Sequence, residues 1–445
     1  MRQKKSWFVF SGILAGLALA LILPAQAVAA SKYKVIYRFT GGADGELPQA
    51  GVIFDKAGNL YGTTSFGGLH GAGTVFKLAP NSDGSWTESV LYSFCSLDNC
   101  ADGAPYAPGR RTSNAVKKGN GYIGFESAGL IFDKAGNLYG TTVGGGAFHR
   151  GVVFKLTPNS DGSWTESVLY SFCSLDNCAD GADPTAGLIF DKAGNLYGTT
   201  SEGGDRITGV VFKLTPNSDG SWAESVLYKF NGTSDGDEPT AALIFDGAGN
   251  LYGTTLGGGN GCPRFGGCGE VFRLTPNSDG SWTESVLHSF TTRRNGNNPQ
   301  AALIFDLAGN LYSTTIDGGD LTNCTDGCGT VFKLTPNSDG SWTASVLHKF
   351  ANHLAADPYA GLIFDPAGNL YGTTLDGGPV NGGAVFKLAP NADGSWAYSV
   401  LHVFLGKPAL TPFGGVVLDK VGNLYGTTGQ CSGTGCKGVV YEITP

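Results

Sequence analysis

Ala186-Gly-Leu-Ile-Phe-Asp191, followed by Lys192-Ala-Gly-Asn195 and Leu196-Tyr-Gly-Thr-Thr200, is the stretch whose reading decides the fold. The first segment is a short apolar run, strand A. Gly194 and Asn195 tolerate positive φ and mark a tight turn. Leu196 to Thr200 is a second short run, strand B. Beyond a Gly-rich loop, Gly209-Val-Val-Phe-Lys-Leu214 has the β-branched and aromatic character of strand C. Pro216-Asn-Ser-Asp-Gly-Ser221 carries the Asp-Gly signal of a hairpin turn. It leads into strand D, Trp222 to Phe230, where Val226, Tyr228 and Phe230 alternate with differently facing neighbours.

The unit recurs along the chain. Gly-Asn-Leu-Tyr ends at Tyr61, Tyr139, Tyr197, Tyr252, Tyr312, Tyr371 and Tyr425, and each copy follows an aspartate: Asp55, Asp133, Asp191, Asp246, Asp306, Asp365 and Asp419. These aspartates lie 54 to 60 residues apart, except for a first gap of 78 that holds an insertion at about 107–127. Four short antiparallel strands per unit of this length is the period of a propeller blade. A helical repeat is excluded, since no window sustains a 3.6-residue apolar period. A β-solenoid is the runner-up, but its rungs are shorter and lack two hairpin turns each.

The last copy stops after strand C, at Val439-Val-Tyr-Glu-Ile-Thr-Pro445. Its missing strand stands at the other end of the chain: Tyr33–Phe39 matches Glu224–Phe230, and Asp44, Gly45 and Pro48 fall on Asp235, Gly236 and Pro239. The expected fold is therefore all-β, a seven-bladed β-propeller of four-stranded antiparallel blades over residues 31–445. Its ring is closed by the N-terminal strand, which completes blade seven and removes two sheet edges.

Residues 1–30 read as a signal peptide. Arg2, Lys4 and Lys5 precede an apolar stretch from Trp7 to Leu23, and Ala25-Gln-Ala27 and Ala27-Val-Ala29 offer small-x-small cleavage sites. An uncleaved anchor is the rival reading, disfavoured by Pro24 and the alanines. No other stretch is apolar enough to span a bilayer, and no C-terminal anchor is recognisable. The formal net charge is −8 with 15% charged residues, and no basic stripe is visible, so nucleic acid is not an expected partner. The basic excursion at Arg110, Arg111, Lys117 and Lys118 reads as a disordered loop, a protease-sensitive site or a partner contact.

All ten cysteines fall into close pairs: Cys95/Cys100, Cys173/Cys178, Cys262/Cys268, Cys324/Cys328 and Cys431/Cys436. With an export signal, such pairs read as loop-stapling disulfides. Zinc is the alternative, but each pair stands without the further ligands a zinc site needs.

Because antiparallel connections alternate, the A–B and C–D turns share one face of the ring, and the B–C loops and D–A crossovers share the other. Every cysteine pair and nearly all length variation fall on that second face. A feature present in every blade serves folding, so the repeated Asp, Gly-Asn and Trp positions are read as turn chemistry and packing. Function is sought where blades differ. The candidates are His70, His149, Arg150 and His353 on variable loops, and Asp180, Asp183, Asp235, Asp237 and Asp357 in crossovers, with Asp44, Asp102 and Glu238 beside them. Solvated loops and Asp-Gly turns are the bland alternatives. A calcium site or an acid/base pair at the channel mouth is the sharper one. No cofactor is otherwise implied. His288, His348 and His402 stand where other copies carry Tyr92, Tyr170 or Tyr228, and are read as substitutions within strand D. Gly433–Gly438 fits G-x-G-x-x-G by chance, since a strand follows it rather than a helix.

Phe-Asp-x-x-Gly-Asn-Leu-Tyr-Gly-Thr-Thr, Val-Phe-Lys-Leu and Asp-Gly-Ser-Trp together resemble the GloVer tandem repeat of exported, choice-of-anchor bacterial proteins, over residues 33–445. The resemblance implies export and supplies no catalytic residues. More distantly, Asp-x-x-Gly-Asn-Leu-Tyr is similar to repeats of NHL and gluconolactonase-type propellers, whose metal ligands do not map here. The leading expectation is a monomeric, non-catalytic extracellular module, secreted, periplasmic or on the cell surface, that binds a glycan or protein through the loop-rich face. Its rivals are an enzyme acting on a polysaccharide or lactone through acid/base residues at the channel mouth, and a surface-structural protein.

Overall fold

The computed structural model describes residues 31–105, 129–259, 267–351, 354–406, 409–429 and 437–445, with the backbone of 116–118 and 121–123. The expected signal peptide, His353, Cys262, Cys431, Cys436 and most of the basic insertion lie outside these residues. In the third blade strands A to D are Ile189–Phe190, Leu196–Thr200, Val210–Pro216 and Trp222–Lys229, paired in that order. Seven such four-stranded antiparallel sheets make the propeller, and the inserted segment adds a two-stranded ladder of Val116–Lys118 with Gly121–Ile123.

The seventh sheet closes as its sequence requires. Lys32–Arg38 pairs antiparallel with Val439–Thr444, the strand C of blade seven. Even the bulge is shared: the register slips between Val35 and Tyr37 opposite Tyr441 and Val440, as it does between Val226 and Tyr228 opposite Phe212 and Val211. One extra residue per strand D, Ile36 or Leu227, adds local twist at the blade's outer edge.

The core lies between blades rather than within them. Tyr139, Val153 and Phe172 of blade two pack on Leu188, Leu196, Phe212 and Leu214 of blade three. Tyr425, Val440 and Phe39 of the closing blade pack in the same way on Val52, Leu60, Phe76 and Leu78 of the first. The glycine of Leu-Tyr-Gly has a steric reason. A Cβ on Gly62 would lie 2.6 Å from Cζ of the fully buried Phe76.

The two threonines of Leu-Tyr-Gly-Thr-Thr divide their labour. The second bonds within its own loop, as Thr142 Oγ1 does to the Gly144 carbonyl at 2.8 Å. The first reaches across to the next blade: Thr141, Thr199, Thr254, Thr373 and Thr427 donate to the carbonyls of Ala186, Ala241, Ala301, Gly414 and Ala50. These acceptors precede strand A, so the hydroxyls form an inter-blade ring around the channel, and Thr427 to Ala50, at 2.8 Å, ties blade seven to blade one.

Candidate functional site

Strand A begins at the channel, so the residues before it line the channel mouth on the loop-rich side. The cavity there is about 170 Å³ and is narrowed by alanine and glycine from successive blades, such as Ala50, Ala186, Ala241, Ala301, Gly51 and Gly415. One position of the repeat, between a proline and these small residues, points different side chains at it: Gln49, Thr185, Thr240, Gln300, Tyr359 and Phe413. All six are buried. Gln300 Nε2 donates to the Tyr359 hydroxyl at 2.7 Å, and Ser65 Oγ donates to Gln49 Oε1 at 2.8 Å. The hydroxyls of Thr185 and Thr240 have no partner in the protein. Uncompensated burial of a hydroxyl is costly, so each is an unmet hydrogen-bonding group beside the mouth. No carboxylate or histidine lines this cavity among the described residues.

The acidic candidates lie elsewhere. Asp180 is wholly buried and accepts hydrogen bonds from the Tyr170 hydroxyl at 2.7 Å and from the backbone and hydroxyl of Ser174 at 2.8 Å each. Asp235 accepts from the Tyr228 hydroxyl at 2.7 Å and from the Asn231 backbone. Each is the anchor of a D–A crossover, held against outer strand D. Asp237 is half-buried beside Asp235, and burial first, then that neighbour, pushes its carboxyl up.

Asp183 and Asp357 occupy one register position in blades three and six, where Glu238 also stands. All three have positive φ, of 56°, 57° and 55°. Here the backbone joins neighbouring loops: the Asp183 N–H donates to the Arg150 carbonyl and its own carbonyl accepts from Ser201, while Asp357 does the same with Cys328 and Leu375. The two carboxylates serve different blades and do not form an acid/base pair.

Arg150 crosses between blades two and three. Its Nη1 lies 3.1 Å from Asp183 Oδ2 and 2.8 Å from Glu202 Oε2, and Asp183 is only 2% exposed. The guanidinium balances a buried charge and locks two variable loops together. Beside it a cleft of about 520 Å³ is lined also by Asp176, Asn177, Asp205 and Ile207. His149, at φ 56°, and His70 are exposed on their loops, one blade apart. No group of three or more His, Cys, Asp or Glu among the described residues is arranged to hold a metal, so the calcium suggestion finds no ligand set there.

Disulfides join Cys95 to Cys100, Cys173 to Cys178 and Cys324 to Cys328, and Cys268 is disulfide-bonded as well. They staple the diverse face. Sequence reasoning passed over the channel ring of Gln49 to Phe413. The signal was present: each of these residues follows a repeated proline, Pro48, Pro184, Pro239, Pro299, Pro358 or Pro412, yet changes from blade to blade.

Strand D carries a second pattern that crosses blades. Where an aspartate anchors the crossover, strand D has tyrosine, and the next blade sets a glutamate beside it: Tyr92 with Glu166, Tyr170 with Glu224, Tyr228 with Glu284. Where the aspartate is missing, strand D has histidine. His348 then stacks on Tyr398 at 3.9 Å and His402 on Tyr33 at 4.0 Å, these tyrosines replacing the glutamate. The histidines are packing partners, lowered by burial, His348 and His402 to about 4.

The Gloeobacter/Verrucomicrobia repeat matches residues 106–325 and 321–445. No curated protein matches. Among solved structures, the chain is similar to a Thermus thermophilus protein bearing the name glucose dehydrogenase, at 16% identity over 93% of this chain and 100% of that one, with a TM-score of 0.38. A second glucose dehydrogenase aligns at 14% identity over 72% of this chain and 96% of its own, with a TM-score of 0.42. A Dyadobacter fermentans protein of unknown function aligns at 13% identity over 94% and 99%, with a TM-score of 0.44.

Proposed function

The chain belongs to the Gloeobacter/Verrucomicrobia repeat family, and on that premise we propose that it is an extracellular, non-catalytic binding module whose loop-rich face takes a glycan at the channel mouth. One observation carries the reading: buried, uncharged hydrogen-bonding side chains converge on the mouth, and two of them, Thr185 and Thr240, lack protein partners. Amides, hydroxyls and an aromatic wall from Tyr359 and Phe413 suit a neutral polyhydroxylated ligand, whose hydroxyls both donate and accept. The cavity admits the end or an edge of a sugar, with the stapled loops around it as the wider contact surface. The disulfides are consistent with an oxidising compartment. An acid/base enzyme needs two titratable groups within reach of one bond, and the described mouth does not bring two together.

Glycan-array screening of the purified protein tests the proposal. A hit is expected, and Thr185→Val with Thr240→Val, which keeps side-chain shape, should weaken it by about tenfold through lost hydrogen bonds. An array with no signal above background, or a hit indifferent to both substitutions, sinks the channel-mouth reading.

A further inference from the structure

The uniform face, assigned above to folding alone, carries grooves of its own. Between blades one and two the A–B turns and the start of strand D enclose about 710 Å³, and between blades two and three about 730 Å³. The first has Tyr61, Phe132 and Trp164 as its aromatic wall, and the second has Tyr139, Phe190 and Trp222 at equivalent places. Each tyrosine is fixed edge-on, 5.0 Å from the phenylalanine of the next blade and 6.5 or 6.4 Å from its tryptophan. Both tryptophans are only half-buried, and neither indole N–H donates to a protein group.

The geometry points to these two grooves as paired binding sites for the pyranose rings of a neutral polysaccharide. Charge argues for a neutral guest. Among the lining residues Lys56 and Lys134 balance Asp55 and Asp133 in the first groove, and Lys134 and Lys192 balance Asp133 and Asp191 in the second, with one further ammonium beside each tyrosine, Lys77 or Lys155 Nζ 5.8 Å from the ring centroid. The carboxylates are also saturated. Asp55 accepts from the Ala57 and Asn59 backbones at 2.8 and 2.9 Å, from Asn59 Nδ2 at 2.6 Å and from the Tyr61 hydroxyl at 3.0 Å. What remains for a guest is an aromatic wall, an indole N–H and exposed lysine ammonium groups at the rim. A sugar ring presents a C–H face to the wall and oxygen acceptors to those donors. The volumes are those of small-ligand clefts. Because adjacent blades repeat the groove and share Lys134, one polysaccharide chain can occupy both, and linked sites gain avidity without new contacts.

The grooves take only their ligand class from the proposed function, and they lie on the opposite face. Tryptophan emission and calorimetry should be followed while cellohexaose, laminarihexaose, mannohexaose and hexagalacturonate are added. At least one neutral hexasaccharide should quench emission, and the double variant Trp164→Ala, Trp222→Ala should weaken its binding by at least about tenfold. Lys134→Gln, on an exposed turn and so not dependent on repacking the core, should weaken it by about threefold in a fully folded protein. Thr185→Val with Thr240→Val should leave groove binding unchanged. No quenching by any neutral hexasaccharide, a preference for hexagalacturonate, or binding untouched by Lys134→Gln and the tryptophan variants overturns the groove proposal. Binding that falls only with the threonine variants overturns it while leaving the channel mouth standing.

Discussion

Glu166 shows what burial in the blade gap does to a carboxyl. Burial, and then Asp102, push its carboxyl up to about 8, and one of its oxygens has no partner. Glu88, Glu224, Glu270 and Glu284 are raised to about 7, burial again leading. In the unfolded chain such carboxyls lose their protons near 4.5, whereas the folded chain keeps them until pH passes 7 to 8. The folded state therefore binds more protons across that interval, and stability falls as pH rises. His348 and His402, held at about 4, oppose this only below 6.5. The turn aspartates, such as Asp55, are lowered: burial alone would raise them, but hydrogen bonds from Asn59, Tyr61 and Ala57 prevail, so their contribution is lost only in stronger acid. Thermal midpoints measured between pH 6.5 and 8 should fall with rising pH, and Glu166→Gln should shallow that slope; a flat profile would count against these burials. Tyr441 gives a simpler test. It is fully buried, its hydroxyl has no partner, and other blades have phenylalanine there. Tyr441→Phe should stabilise by about 1–3 kcal/mol, the cost of an unsatisfied buried hydroxyl, and raise the melting temperature.

The N-terminal strand is the element on which the ring depends. Tyr33 and Val35 pack into the core between blades six and seven, and Ile36, Tyr37 and Phe39 into that between blades seven and one. A fully buried apolar side chain is worth roughly 1.5–3 kcal/mol; Phe39 is buried and Tyr33, Val35, Ile36 and Tyr37 are part-buried, so removing residues 33–39 deletes a large share of a domain's whole stability of about 5–15 kcal/mol. The truncated chain should lose cooperative unfolding, followed by near-UV circular dichroism, and a truncation that melts like the full protein would mean that the ring does not close this way. This element was legible in the sequence because Tyr33–Phe39 repeats the strand D pattern of Glu224–Phe230. The inter-blade bonds were less legible. Thr141 meets the Ala186 carbonyl, 45 positions away, and nothing in Leu-Tyr-Gly-Thr-Thr says which threonine turns outward. The crossover aspartates were open to two readings, an Asp-Gly turn or a carboxylate at the channel mouth. Asp180 is held by Tyr170 and Ser174 at the outer strand, as the turn reading has it. The channel ring was hidden because its members share a position and not a residue type.

At the scale of the whole molecule, stability and variation are kept apart. The cores that hold the ring lie between sheets, while the staples lie in loops on one face. That separation predicts how the protein responds to reduction. The bridges close short segments, with separations of 5, 5 and 4 residues, so each restricts the unfolded chain by only about 2 kcal/mol in the chain-entropy account. None of these three bridges links one blade's core to another's. Reduction should therefore lower the melting temperature while leaving the far-UV sheet signal and a cooperative transition. The loop face should respond more strongly. Cys173–Cys178 borders the Arg150 cleft, and its crossover delivers Asp183 to Arg150 and Thr185 to the channel mouth. Cys173→Ser with Cys178→Ser should thus weaken a ligand held at the mouth by more than it changes the melting temperature, while ligands in the Trp164 and Trp222 grooves keep their affinity. Loss of cooperative unfolding on reduction alone would show instead that the staples hold the ring, and the division between a folding face and a variable face would fail.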